Sequence, residues 1–252
     1  MASLQGRVAL VTGAGAGMGR SHASLLAERG ADVIIQDINA AAAAGTAELV
    51  RAHGRRVHIL VGDVQDVGAL QRGIGEAEVA MGKIDILVNN AGVAGQGLAI
   101  EKIDEAAFDR MFGVHVKGSF FAAQAVVPGM KARRYGKIIN ISSNFAKGGS
   151  AIASHYAAAK SALSGFVKSW ARELAPYNIM VNAVAPGLLE TDLTRASLGL
   201  ERIRKMESEV PLGRLAQPLE ISYAVAWLAS AEADFMTGQV IAPNGGVTII
   251  GI

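Results

Sequence analysis

Residues Arg7 to Asp37 read RVALVTGAGAGMGRSHASLLAERGADVIIQD, and this stretch decides the fold. Arg7 to Thr12 is a short apolar run that stops at a glycine, the pattern of a strand buried on both faces of a parallel sheet. Every second residue from Gly13 to Gly19 is glycine, and Arg20 to Arg29 follows with helical periodicity as far as Gly30. Asp32 to Asp37 is a second apolar strand, closed by an acid 18 residues beyond Gly19. Strand, glycine loop and helix in that order make a phosphate cradle. Glycines let an anion approach the backbone, and the helix N-terminus offers free N–H groups and the positive end of its dipole. The glycines do not fit G-x-G-x-x-G; they fit T-G-x-x-x-G-x-G on Thr12, Gly13, Gly17 and Gly19, with Met18 between the last two.

An acid at the end of the second strand can accept hydrogen bonds from the adenosine ribose hydroxyls of NAD, while its charge repels the 2′-phosphate of NADP. Asp37 is expected to fill that role, which is compatible with capping the helix from Asn39 onward. No arginine stands nearby to answer a phosphate. The cofactor expected is therefore NAD, with NADP disfavoured.

Further apolar runs at Arg56 to Val61, Lys83 to Val88, Lys137 to Ile141, Asn178 to Val184 and Gln239 to Ala242 alternate with helical stretches. Those stretches are Ala40 to Ala52, Val67 to Met81, one capped by Asp104, Gly118 to Lys131 with Pro128 expected to kink it, Ser154 to Ala175, and Gln217 to Ser230. This alternation predicts one α/β domain over residues 1–252, a doubly wound Rossmann-type parallel sheet with helices on both faces. Pro243 places the last strand at an edge. Residues 187–212 have little periodicity and are expected to form a substrate-binding loop or lid.

Composition narrows the function. The chain is 51% hydrophobic and 18% charged, and no run approaches the ~20 apolar residues of a membrane span. A net charge of +2 gives no reason to expect a nucleic-acid partner. There are no cysteines, which excludes disulfides and thiol catalysis, and the cytoplasm is the expected compartment. The five histidines lack metal-ligand spacing, so no metal is expected.

Chemistry concentrates between Lys137 and Lys160, KIINISSNFAKGGSAIASHYAAAK. Tyr156 and Lys160 are four apart on a helix and so share one face. A cation beside a phenol lowers its pKa and makes the Tyr usable as a general acid or base near neutral pH. Ser143, at the end of the preceding strand, can then fix the substrate oxygen. A Tyr-x-x-x-Lys pair alone is more often an exposed contact; the glycine loop, Asp37 and the serine together give it weight.

Ser143, Tyr156 and Lys160, with thirteen residues from Ser to Tyr, resemble the active site of the short-chain dehydrogenase/reductase family, and the motifs cover nearly the whole chain in the family's order. The resemblance implies an NAD-dependent oxidoreductase interconverting a secondary alcohol and a ketone, with Tyr156 moving the proton and Lys160 also binding the nicotinamide ribose. It implies cofactor contacts from Asp63 and Val64, from Asn90, Ala91 and Gly92, and from Pro186, Gly187, Leu188 and Thr191. Ala16 and Ile38 stand where NADP-using relatives place basic residues. His115 stands where the family has an asparagine that holds a water joining the catalytic lysine to solvent. A neutral imidazole can donate and accept in the same way. A substrate pocket of Asn144, Phe145, Ile152, Leu188, Leu189 and Leu193 favours a compact hydrophobic alcohol. The alternative is 3-oxoacyl-carrier-protein reduction, which APGLLETDLT and TGQVIAPNGG resemble; against it, those reductases normally use NADPH, and only Arg134 matches their two carrier-binding arginines, Tyr177 standing at the other. Relatives pair the Ser154 to Ala175 helices, implying a homotetramer.

Overall fold

The computed structural model describes residues 3–95, 97–190 and 200–249. Seven strands, β1 (Val8–Thr12), β2 (Asp32–Asp37), β3 (Val57–Val61), β4 (Ile86–Asn89), β5 (Gly136–Ile141), β6 (Ile179–Val184) and β7 (Val240–Ile241), form one all-parallel sheet in the order β3-β2-β1-β4-β5-β6-β7. The helices are α1 (Gly17–Glu28), α2 (Ala40–Ala52), α3 (Val67–Met81), α4 (Glu105–Phe112), α5 (Gly118–Arg133), α6 (Phe145–Gly148), α7 (Ser154–Leu174), α8 (Leu200–Ser208) and α9 (Pro218–Ala229).

Side chains alternate across each strand and so feed two cores. Val8, Leu10, Ile34, Leu87 and Ile138 pack with α3, α5 and α7, while Ala9, Val11, Val33, Ile35 and Val88 pack with α1, α2 and α9. Burial on both faces is why these strands read as continuous apolar runs. Chain order reverses between β1 and its other neighbour β4, which opens a crevice at the carboxyl ends of the strands.

Three segments differ from the sequence reading. Strand β4 begins at Ile86 and not at Lys83, because Asp85 turns its carboxylate inward to accept from Val8 N–H at 3.0 Å and to pair with Lys83 at 2.9 Å. The lid segment contains a helix, α8, whose charge-rich sequence LERIRKMES hid the helical pattern. Residues Gly113–Lys117 form a π-helical turn that joins α4 to α5 without a break in helical backbone. Such turns cluster at functional sites, and this one carries His115.

Candidate active site

The crevice is a cleft of about 1580 Å³, beyond the ~300 to 1,000 Å³ of an ordinary small-ligand pocket. At its β1 end the loop before α1 is shaped by contact: a Cβ on Gly13 would lie 2.8 Å from Ala91 Cα. Gly17, by contrast, has φ 51°, and a Cβ there would meet nothing within 4 Å. Ala16 gives α1 no side-chain cap, and the first turn holds no acid, so its leading N–H groups face the cleft without a side-chain acceptor. This cradle fits the pyrophosphate of a dinucleotide.

Asp37, at the end of β2, lines the same end. Its Oδ2 accepts from Gly15 N–H at 2.7 Å and its Oδ1 from Asn39 N–H at 2.8 Å. A carboxylate has about four acceptor positions, so acceptor capacity is left for a ribose diol. Ile38 is 67% exposed beside it and supplies no charge.

At the other end, β5 delivers Ser142 and Ser143 and α7 delivers Tyr156 and Lys160. Lys160 Nζ donates to Ile141 C=O at 2.7 Å, and Ser142 Oγ donates to Lys160 C=O at 3.0 Å, which staples α7 to the strand end. Burial holds the Lys160 pKa down to about 7. Burial also raises that of Tyr156, partly offset by a hydrogen bond to Ser143. The Lys160 ammonium lies 5.7 Å from the Tyr156 ring centroid. The expectation that Lys160 lowers the phenol pKa is thus corrected: desolvation dominates for both groups.

His115 packs edge-on to Tyr156, with ring centroids 5.4 Å apart at 89°. Its Nε2 meets the Val93 backbone N–H (3.1 Å) and C=O (3.0 Å), one as acceptor or the other as donor according to tautomer. Its Nδ1 is buried without a partner among the described residues. Burial, and then the charge of Lys160, depress its pKa to about 3, so it is neutral. Ala153, at the N-cap of α7, has φ 90°, a left-handed conformation rare for a residue with a Cβ, and it lies three residues before Tyr156.

A family model described as enoyl-(acyl carrier protein) reductase matches residues 13–248. The chain belongs to the short-chain dehydrogenase/reductase family. It is therefore an oxidoreductase acting on CH–OH groups or the corresponding ketones. It is 40% identical over 248 residues to the 3-oxoacyl-(acyl-carrier-protein) reductase of Vibrio harveyi, covering 98% of this chain and 100% of the relative. The reductase of that name from Brucella melitensis superposes with TM-score 0.92 at 37% identity, covering 98% of this chain and 93% of that one. Carveol dehydrogenase from Mycobacterium avium, solved in complex with NAD, superposes with TM-score 0.93 at 30% identity over 98% and 99% of the two chains.

Within this short-chain fold, Gly13, Gly17, Met18, Gly19, Asp37, Asp63 and Val64 line the cleft, as do Asn90, Ala91, Gly92, His115, Phe145, Ile152, Tyr156, Lys160 and Leu188. Ser143 lies just behind the lining, accepting from Phe145 N–H at 3.2 Å. Several expected contacts are support instead. Thr12 is buried, and its Oγ1 accepts from Asn90 and Ala91 N–H at 3.0 Å each, tying β1 to the segment after β4. Asn144 is buried, with Oδ1 accepting from Ser143 Oγ. Leu189 packs on the core beside α9. Pro186 accepts from Asn144 N–H at 3.0 Å, and Gly187 packs against Asn244 so closely that a Cβ would lie 2.7 Å from its Cα. Thr191 and Leu193 lie outside the described residues.

Sequence reasoning missed two contributors. Gln36 lines the cleft, accepts from Gly13 N–H at 3.2 Å and donates to Gly62 C=O at 2.7 Å; a polar residue inside an apolar strand was the available signal. Helix α8 presents Glu201, Lys205 and Met206 to the cleft, with Glu209 just past its end, and nothing in the sequence says where that helix docks. Among the described residues no group of acids and histidines could hold a metal, and no helix is long and apolar enough to cross a membrane.

Proposed function

We propose that the chain is an NAD(H)-linked ketoreductase, with Tyr156 as proton donor, and that its substrate is a 3-oxoacyl thioester. The observation that carries this reading is the placement of Tyr156 and Lys160 together in the cleft, beside the end of β5. A phenol in its acid form at neutral pH can give a proton to a carbonyl oxygen. Ser143, at the end of β5, orients the same oxygen when its hydroxyl turns from Asn144 Oδ1. A bound nicotinamide dinucleotide supplies the hydride, and Asp37 favours the form with a free ribose diol. Lys160 binds the nicotinamide ribose and returns a proton to Tyr156, and neutral His115 connects Lys160 with solvent.

The names of the relatives support a 3-oxoacyl chain over the compact hydrophobic alcohol favoured from sequence. So do the charged side chains of Glu201 and Lys205, which α8 brings to the cleft. Arg134 reaches Pro176 C=O at 3.0 Å, beside Tyr177, and Lys131 Nζ lies 4.6 Å over the Tyr177 ring. A basic surface therefore persists where the second carrier-binding arginine is missing.

The test is initial rates with NADH and NADPH on acetoacetyl thioesters and on linear, cyclic and aryl ketones. Faster turnover of a cyclic ketone than of any 3-oxoacyl thioester would overturn the substrate reading; faster turnover with NADPH would overturn the cofactor reading. For assembly we propose a homotetramer in the cytoplasm. Ala158 is exposed and Ala162 half-exposed on α7 in the single chain, a small-residue face free to pack against a second copy. An unchanged mass in light scattering after Ala158→Arg would remove that face from the interface.

A further inference from the structure

Asp37 does not hold its own position: the chain reaches it through Gly15, and Gly15 is held from the opposite side. Gly15 N–H donates to Asp37 Oδ2 at 2.7 Å. Gly15 C=O accepts from Arg20 Nε at 3.0 Å and Nη2 at 2.6 Å, and Thr46 Oγ1 lies 3.3 Å from it. Thr46 is fully buried; its Oγ1 donates to Ala14 C=O at 2.9 Å and accepts from Arg20 Nε at 3.3 Å. A Cβ on Gly15 would sit 2.8 Å from Asp37 Oδ2 and from Ala42 Cβ, so the loop is pressed onto the carboxylate with no room for a side chain.

We infer that Arg20 and Thr46 are positioning residues for cofactor selectivity, acting on Asp37 through the Gly15 backbone. Glycine on its own samples many backbone conformations, and only external bonds fix which way its N–H points. The Arg20 guanidinium clamps one side of Gly15 with two charge-assisted bonds, which are stronger than neutral ones. Thr46 ties the adjacent carbonyl of Ala14. With both in place, the Gly15 N–H stays on Asp37 and aims its remaining lone pairs into the cleft, where a ribose diol would be welcomed and a 2′-phosphate repelled. Without them the loop can turn, and Asp37 loses one of the two N–H donors that orient it. The expectation that no arginine stands near Asp37 is thereby corrected: Arg20 is bound to the same loop, its Nε and Nη2 committed to Gly15 C=O.

This rests on the reading that Asp37 selects NAD(H), and the experiment separates the two. Dissociation constants for NADH and NADPH are measured by fluorescence titration on wild type, Asp37→Ala, Arg20→Met, Thr46→Val and the Asp37→Ala/Arg20→Met double variant. We expect Arg20→Met to lower the NADPH-to-NADH ratio of dissociation constants by about fivefold or more, Thr46→Val by less, and Arg20→Lys to restore part of it. In the Asp37→Ala background Arg20→Met should leave the ratio unchanged, the signature of action through Asp37. If Arg20→Met does not fold, Thr46→Val and Arg20→Lys carry the same comparison. Equal weakening of both cofactors would show Arg20 to be a general support of the loop and overturn the inference. So would an unchanged ratio in Arg20→Met where Asp37→Ala abolishes selectivity. A wild type without selectivity for NADH would overturn the Asp37 reading and this inference with it.

Discussion

At the Asp37 end of the cleft both oxygens of a carboxylate accept backbone N–H bonds and the acid stays half-buried. At the Tyr156 end the ionisable groups are dry: Lys160 is pushed down to about 7, His115 to about 3, and Tyr156 upward, each chiefly by burial. One end uses hydrogen bonds to keep a charge in place for recognition. The other disfavours the charged forms of its groups by burial, which under the proposed mechanism lets a proton move among them. Recognition tolerates water, whereas proton donation near neutral pH depends on excluding it.

The largest break in that contrast is removal of the proton itself. Tyr156→Phe keeps the ring and its edge contact with His115 but deletes the donor, and kcat should fall by about a thousandfold while NADH affinity stays within about twofold. Stopped-flow turnover with fluorescence titration of NADH checks both numbers. Retention of more than a few per cent of kcat would remove Tyr156 from the role.

The second break swaps the charge logic of the recognition end. Asp37→Ala combined with Ile38→Arg removes a negative group from the place of a 2′-phosphate and supplies a positive one on an exposed position. The ratio of kcat/KM for NADPH over NADH should rise about a hundredfold. If the ratio does not move, Asp37 serves only as a cap for α2 and a partner for the glycine loop.

Much of this was legible in the sequence, and the exceptions have physical causes. The strands are apolar on both faces, so their existence and order could be read directly, and the glycine loop announced itself by spacing. What failed was anything set by burial. The Tyr156–Lys160 spacing suggested a phenol acidified by its neighbour, but i,i+4 geometry says nothing about water, and desolvation reversed the direction. Asn144 and Leu189 stand next in sequence to residues that line the cleft, but one bonds to Ser143 and the other packs on the core, partnerships that sequence adjacency does not show. The charged face of α8 was invisible because its polar sequence gives no sign of which side meets a cleft.

A third prediction sharpens the dry end. His115 is tied to Val93 through Nε2, and in the proposed relay the unpartnered Nδ1 is the atom that takes up a proton from Lys160. His115→Leu fills the space without hydrogen bonds and should lower kcat by about tenfold, while His115→Asn should keep most of it. The variants should share the wild-type NADH affinity. Equal kcat in His115→Leu and wild type would show that the proton leaves by another route.

The smallest effect concerns stability, and it reports burial of Lys160 without reference to catalysis. Its pKa is lowered from 10.5 to about 7 in the folded chain, so the sign follows from counting protons. Below pH 7 folded and unfolded chains both hold the proton, and folding bears the full cost of burying the ammonium. Between pH 7 and 10.5 the unfolded chain holds a proton that the folded chain has shed, so stability rises with pH. Above that window the cost is gone. The slope is at most about 1.4 kcal/mol per pH unit, the value for one proton. Lys160→Met, which fills the space with no charge, should be more stable than wild type at pH 7, and the gap should narrow by roughly 1 to 3 kcal/mol at pH 9. Taking the difference between the two chains cancels the titration of all other groups, provided they are unperturbed by the change. Urea unfolding of the cofactor-free proteins at both pH values measures it. Parallel curves across that range would mean that Lys160 keeps its proton, and the contrast between a charged and a neutral end of the cleft would then have to be abandoned for this residue.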